Sequence, residues 1–187
     1  MFGEYVLDWT WAEVFRMHVL KRIVRVLDNI TLWLARLTWW LVIPLMAVLA
    51  YEVIVRKLFV APTVWAMDIS YMLTGILGMI GAVYALYRGG HIAIDFITDR
   101  WPLRTQAALN TVFYITCFFP GITIFLWFAW QFAYDSWLIK ERALTGAWMA
   151  PIYPLKMVLV VAMAFLILQG ISEFLKNLYV LFRGHRL

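Results

Sequence analysis

The sequence predicts an all-α membrane protein with four transmembrane helices, an N-terminal amphipathic interfacial helix and both termini in the cytoplasm. Three observations carry that prediction. Between Arg104 and Asp135 run 30 residues without one Asp, Glu, Lys or Arg, whereas a helix needs only about 20 apolar residues to cross a bilayer core roughly 30 Å thick. The whole chain of 187 residues is 65% hydrophobic and 14% charged, with mean hydropathy +0.81; ordinary soluble domains stand near 45–50% and about 25%. The charges sit at the borders of apolar runs, as anchors at lipid headgroups do. The net charge of +5 comes with no basic patch interleaved with polar readout residues, so no nucleic-acid partner is expected.

The first 36 residues form the expected N-terminal cytoplasmic or interfacial segment, and 37–187 the transmembrane domain. Glu4, Asp8 and Glu13 occupy the place where a secretory signal carries a basic stretch, so the first span is expected to persist in the mature chain. Over 14–36, Phe15, Val19, Ile23, Val26, Leu27, Ile30 and Leu34 recur at helical spacing. His18, Lys21, Arg22, Arg25, Asp28 and Asn29 fill the opposite face, with Lys21, Arg22 and Arg25 directed at anionic headgroups. The alternative is a plain cytoplasmic extension of the first span.

The spans fall at about 37–55, with Pro44 inside and Glu52 near the far end; 67–87, with 19 uncharged residues between Asp68 and Arg88; 107–134, kinked or adjusted at Pro120; and 154–175, with Lys156 and Glu173 near its ends. Continuous apolar runs without period-two alternation favour helices over barrel strands. Trp39, Trp40, Trp65, Trp101, Trp137 and Trp148 cluster at the borders, and among them Trp39, Trp40 and Trp101 are expected membrane anchors. One side of the membrane receives 11 Lys and Arg residues and the other 5, which places both termini in the cytoplasm.

Marks of chemistry are sparse. His18, His91 and His185 all lie outside the spans, so facing helices offer no pair of haem ligands, and the single Cys117 excludes paired-thiol chemistry. No HExxH, P-loop or paired midplane carboxylates occur, so neither catalysis nor a cofactor or metal is expected. Glu52, Asp68, Lys156 and Glu173 lie within about a turn of a border rather than at mid-span, the depth a self-sufficient transporter uses. Arg56 follows Glu52 by four residues, the favoured order for a helical ion pair. In the second span Gly75, Gly78 and Gly81 recur every three residues and Thr74, Gly78 and Ala82 every four, with Ala85 alongside. Small residues let membrane helices approach closely; this face serves either packing inside the four-helix unit or docking onto another subunit. Beyond it, Gly89 and Gly90 break the helix, and His91 and Asp95 stand four apart, spaced to pair on a short helix.

Arg56, Trp65 with Asp68 three residues on, Gly78 and Gly81, then Gly90-His91 with Asp95, in that order, resemble the small membrane subunit of tripartite ATP-independent periplasmic (TRAP) transporters, the DctQ-like family. Asp68 stands where that family usually carries glutamate, one methylene longer. The late run with Trp148, Pro151, Pro154 and Lys156 is similar to the start of the fourth span in part of the family. The resemblance implies a division of labour. A periplasmic substrate-binding protein captures an organic acid anion, and a large TRAP membrane subunit carries it across on a cation gradient, usually of sodium. The small subunit binds no substrate; it braces the moving subunit and helps form the docking surface. Trp137, Lys140, Glu141, Arg142 and Trp148, in the expected periplasmic segment, are the residues offered to the binding protein. Two other classes compete. A stand-alone homo-oligomeric transporter or channel would move solute alone and depend on Glu52; a membrane anchor of a redox complex would hold haem or quinone.

Overall fold

A computed structural model describes residues 11–59, 63–89, 102–143 and 148–183, with side chains from Val19 to Phe182. Its helices are α1 (Trp11–Leu58), α2 (Ala66–Tyr87), α3 (Leu103–Phe113), α4 (Phe119–Leu138) and α5 (Tyr153–Arg183), with a π-helical turn, Tyr114–Phe118, joining α3 to α4. Four rods are long and apolar enough to cross a membrane: Val19–Leu58, Ala66–Tyr87, Leu103–Leu138 and Tyr153–Phe182. Among the described residues extended pairing is confined to an isolated antiparallel bridge between Arg142 and Pro151. The third rod begins before the expected 107 and ends after 134, and the fourth runs past 175. Hydropathy marks where a helix is in hydrocarbon; backbone hydrogen bonding continues through the headgroup layer until a breaker stops it.

The first rod departs most from expectation. The interfacial helix foreseen over 14–36 is not a separate element: α1 is one helix of 48 residues, about 72 Å long at 1.5 Å per residue. Neither Gly nor Pro occurs from 11 to 43, so nothing interrupts the ladder. Both foreseen faces look outward, Lys21, Arg22, Arg25 and Asn29 being exposed as well. Val19, Ile23, Val26 and Ile30 point outward, and the stripe turned to the bundle carries Val24, Thr31, Ala35 and Thr38. Asp28, grouped in sequence with the outer polar face, lies on that inner stripe and bonds to α5. In lipid the apolar side of a helix needs no cover, so the side that packs is the one whose small residues permit close approach.

The same preference for small residues inside recurs on α4 and on part of α5. Trp33, Trp39, Trp127, Phe128 and Phe132 are exposed, while Ala129, Ala133, Ser136, Ala162 and Ser172 are buried. α5 is the hub, packing against α1, α2, α3 and α4, and its apolar stretch is more deeply buried than that of the other rods. Its centre packs Val83 and Leu86 of α2 against Tyr114 and Leu166, with Phe118, Phe119 and Phe174 around them. Pro120 explains the π turn. It has no N–H, and its ring crowds the carbonyl four residues back, so the ladder shifts and the N–H of Phe119 bonds to the carbonyl of Tyr114, five residues away. Phe118 then lies against Gly170 of α5, where any Cβ would overlap its ring.

Candidate functional site

Among the described residues no side chains converge on a substrate-like centre; the features that can act are one face and two ends of the bundle. On α2 the buried residues Ala66, Ser70, Val83 and Leu86 face inward. Opposite them Met67, Tyr71, Thr74, Gly78 and Gly81 are exposed. A Cβ at Gly78 or Gly81 would meet nothing within 4 Å, whereas one at Gly75 would touch Leu155 of α5 at 3.6 Å. The glycine pattern thus divides. Gly75 serves internal packing, Gly78 and Gly81 open outward, and Ala82 and Ala85 lie half-buried at the edge. Helical spacing alone does not say which glycines face a neighbouring helix of the bundle; the position of α5 shows that Gly75 does.

The end carrying the α1–α2 and α4–α5 connections is held by two carboxylates. Glu52 accepts from Arg56 Nη2 at 2.6 Å and Nε at 3.1 Å, and from the backbone N–H and hydroxyl of Thr63. The foreseen Glu52–Arg56 pair therefore also ties the start of α2 to α1, and Tyr51 stacks on Trp65 at 5.6 Å beside it. Asp68, in the first turn of α2, keeps Oδ2 buried without a hydrogen-bond partner among the described residues. Glu141 pairs with Lys156, whose Nζ lies 3.6 Å above the Phe132 ring. The hydrogen bond from Lys156 holds the Glu141 carboxyl below its ordinary range. The loop is closed by Ala143 N–H to Ala150 O at 2.8 Å and Ile152 N–H to Glu141 O at 3.1 Å. Lys140 and Met149 take positive φ, 49° and 50°. Trp137, edge-on to Tyr153 at 5.0 Å, is exposed, as are Lys140, Arg142 and Trp148; Glu141 is spent on Lys156.

At the opposite end lies a polar cluster that sequence reading missed. Thr31 Oγ1 donates to Gln169 Oε1 at 2.6 Å, Gln169 Nε2 to Asp28 at 3.1 Å and Glu173 at 3.3 Å, and Ser172 Oγ to Asp28 at 2.8 Å. Lys176 Nζ bridges Asp28 and Glu173 at 2.8 and 2.7 Å and stands 5.3 Å from the Tyr87 ring. Two signals pointed to it: Asp28, Thr31 and Thr38 on one face of α1, with the small Ala35 between them, and Gln169, Ser172, Glu173 and Lys176 on one face of α5. Beside the cluster opens a cavity of about 850 Å³ between α1, α2, α3 and α5. Of the expected anchors, Lys21, Arg22, Arg25, Trp39 and Trp40 are exposed. Gly90, His91, Asp95 and Trp101 lie outside the described residues.

These features define a class: a multi-pass helical membrane protein with many large apolar residues turned outward and one small-residue face open among the described residues. The chain belongs to the DctQ component of the tripartite ATP-independent periplasmic transporters, whose family model matches residues 45–179. It is thus a TRAP transporter small permease subunit and a multi-pass protein of the inner membrane. It is 28% identical over 86 residues to the sialic acid TRAP transporter permease protein SiaT of Haemophilus influenzae, covering 46% of this chain and 14% of that one. It is 27% identical over 90 residues to the sialic acid TRAP transporter small permease protein SiaQ of Vibrio cholerae, covering 48% of this chain and 50% of that one. The matched stretches therefore span at most half the length of these relatives. No solved structure matches.

Proposed function

We propose that this chain is the stationary subunit of its transporter, lying with both termini in the cytoplasm and bracing a large permease subunit that performs cation-coupled uptake, sodium being the expected ion. The observation that carries this reading is the outward glycine face of α2, where Gly78 and Gly81 offer bare backbone to a neighbour. Helices in lipid associate through close contact of this kind. The transported class we infer is organic acid anions, and sialic acid, in the names of both relatives, is one of them. The loop with Trp137, Lys140, Arg142 and Trp148 offers apolar and cationic contacts to a periplasmic binding protein; Glu141 serves this surface by fixing the loop.

The test places leucine at Gly78 and, as a control on α4, at Gly121, where a Cβ likewise meets nothing within 4 Å. Gly78→Leu is expected to reduce co-purification with the large subunit and substrate uptake together, with Gly121→Leu close to wild type. Undiminished co-purification and uptake with Gly78→Leu would remove α2 as the bracing face.

A further inference from the structure

We propose that the cavity between α1, α2, α3 and α5 binds the phosphate-bearing headgroup of an anionic phospholipid. Lys21 and Arg25 of α1 and Arg88 at the end of α2 line it. Among the described residues the ion pairs are Glu52–Arg56, Glu141–Lys156, Asp28–Lys176 and Glu173–Lys176, so no described carboxylate answers any of these three cations. Asp28 and Glu173 face the cavity too, but both are bonded to Lys176, and Gln169 and Ser172 supply their further donors. Three like charges from two helices repel one another across a space that an anion fills. A phosphodiester suits them, because guanidinium groups bind phosphate oxygens in pairs.

Position selects a lipid as the source. The cavity lies where the apolar rods end, at headgroup depth, and basic pockets between membrane helices at that depth hold anionic headgroups. Its volume, about 850 Å³, lies within the roughly 300–1,000 Å³ range of small-molecule sites. Leu32, Leu86 and Val180 supply an apolar wall for the glycerol and the first acyl carbons. A headgroup seated there fastens the long extension of α1 to the end of α2.

The full chain, stripped of lipid in detergent, is titrated with phosphatidylglycerol, phosphatidylcholine or inorganic phosphate, and binding is read by native mass spectrometry and by the thermal midpoint. Phosphatidylglycerol is expected to bind and raise the midpoint, with phosphatidylcholine much weaker. Arg25→Gln with Arg88→Gln is expected to weaken phosphatidylglycerol binding on the order of 30-fold, from two lost cations at the surface. Arg36→Gln, which removes an exposed cation of α1 outside the cavity, is expected to leave it unchanged. Equal binding of the two lipids, or equal losses in the Arg36 and double variants, overturns the proposal. Competition by millimolar phosphate reassigns the cavity to a soluble anion and overturns the lipid. If the double variant fails to fold, the comparison of the two lipids on wild type decides alone.

Discussion

Gly170 has the phenyl ring of Phe118 where a side chain would begin, and that ring belongs to the π turn shaped by Pro120. Gly170→Ala is therefore expected to destabilise the protein by about 1–3 kcal/mol, the usual cost of overpacking, measured by denaturant unfolding in mixed micelles. Phe118→Leu in the same chain should recover part of that loss. Glu141 gives a pH signature. Its carboxyl is held below the ordinary 4.5 by the hydrogen bond from Lys156, so the folded chain takes up a proton less readily than the unfolded one. The contribution is complete above 4.5 and fades as the pH falls through the lower folded value. Amide protection at Ala143 and Ile152 should then decline on acidification across that interval, and Glu141→Gln should remove the dependence. A wild-type profile flat down to about pH 3 would show that the pair does not hold the loop.

At the scale of elements, α1 and α5 are clasped by hydrogen bonds rather than by bulk. Gln169 is 1% exposed and bonded to Thr31, Asp28 and Glu173. Gln169→Leu strands Thr31 and deprives two carboxylates of a donor. Its expected cost is about 1–2 kcal/mol, near the upper end of interhelical hydrogen bonds in membranes. A double-mutant cycle with Thr31→Val should return a positive coupling, and strict additivity would deny the clasp. Part of this element was legible. The Glu52–Arg56 pair follows from four-residue spacing, and the adjustment near Pro120 from the missing N–H. The inner face of α1 was not, because apolar periodicity selects the side that faces lipid, and Asp28, Thr31 and Thr38 read as ordinary polar interruptions until α5 stands beside them.

For the whole molecule, the proposed orientation has four crossings that bring both termini to one side, and the bias of 11 basic residues against 5 is what favours the cytoplasm for that side. A fluorescent protein fused after Leu187 should therefore fluoresce, and alkaline phosphatase at the same place should be inactive. Phosphatase inserted at Lys140 should be active. The opposite pattern would put the loop of Trp137 and Trp148 in the cytoplasm and rule out the proposed periplasmic docking surface.

The membrane environment and four candidate spans were legible in the pattern of hydropathy, since a run of 30 uncharged residues is long enough to cross a bilayer and would otherwise need burial on every side. Family membership was likewise written in the linear order of Arg56, Trp65, Asp68 and the glycines. Tertiary structure decided which side of each helix is inside. In hydrocarbon, apolar surface gains little by burial, so hydropathy carries no instruction about partners; shape and hydrogen bonds do, and these exist only once a second helix is present. That is why Gly75 and Gly78, three residues apart, have different neighbours, and why Asp28 turns inward to a lysine 148 positions away.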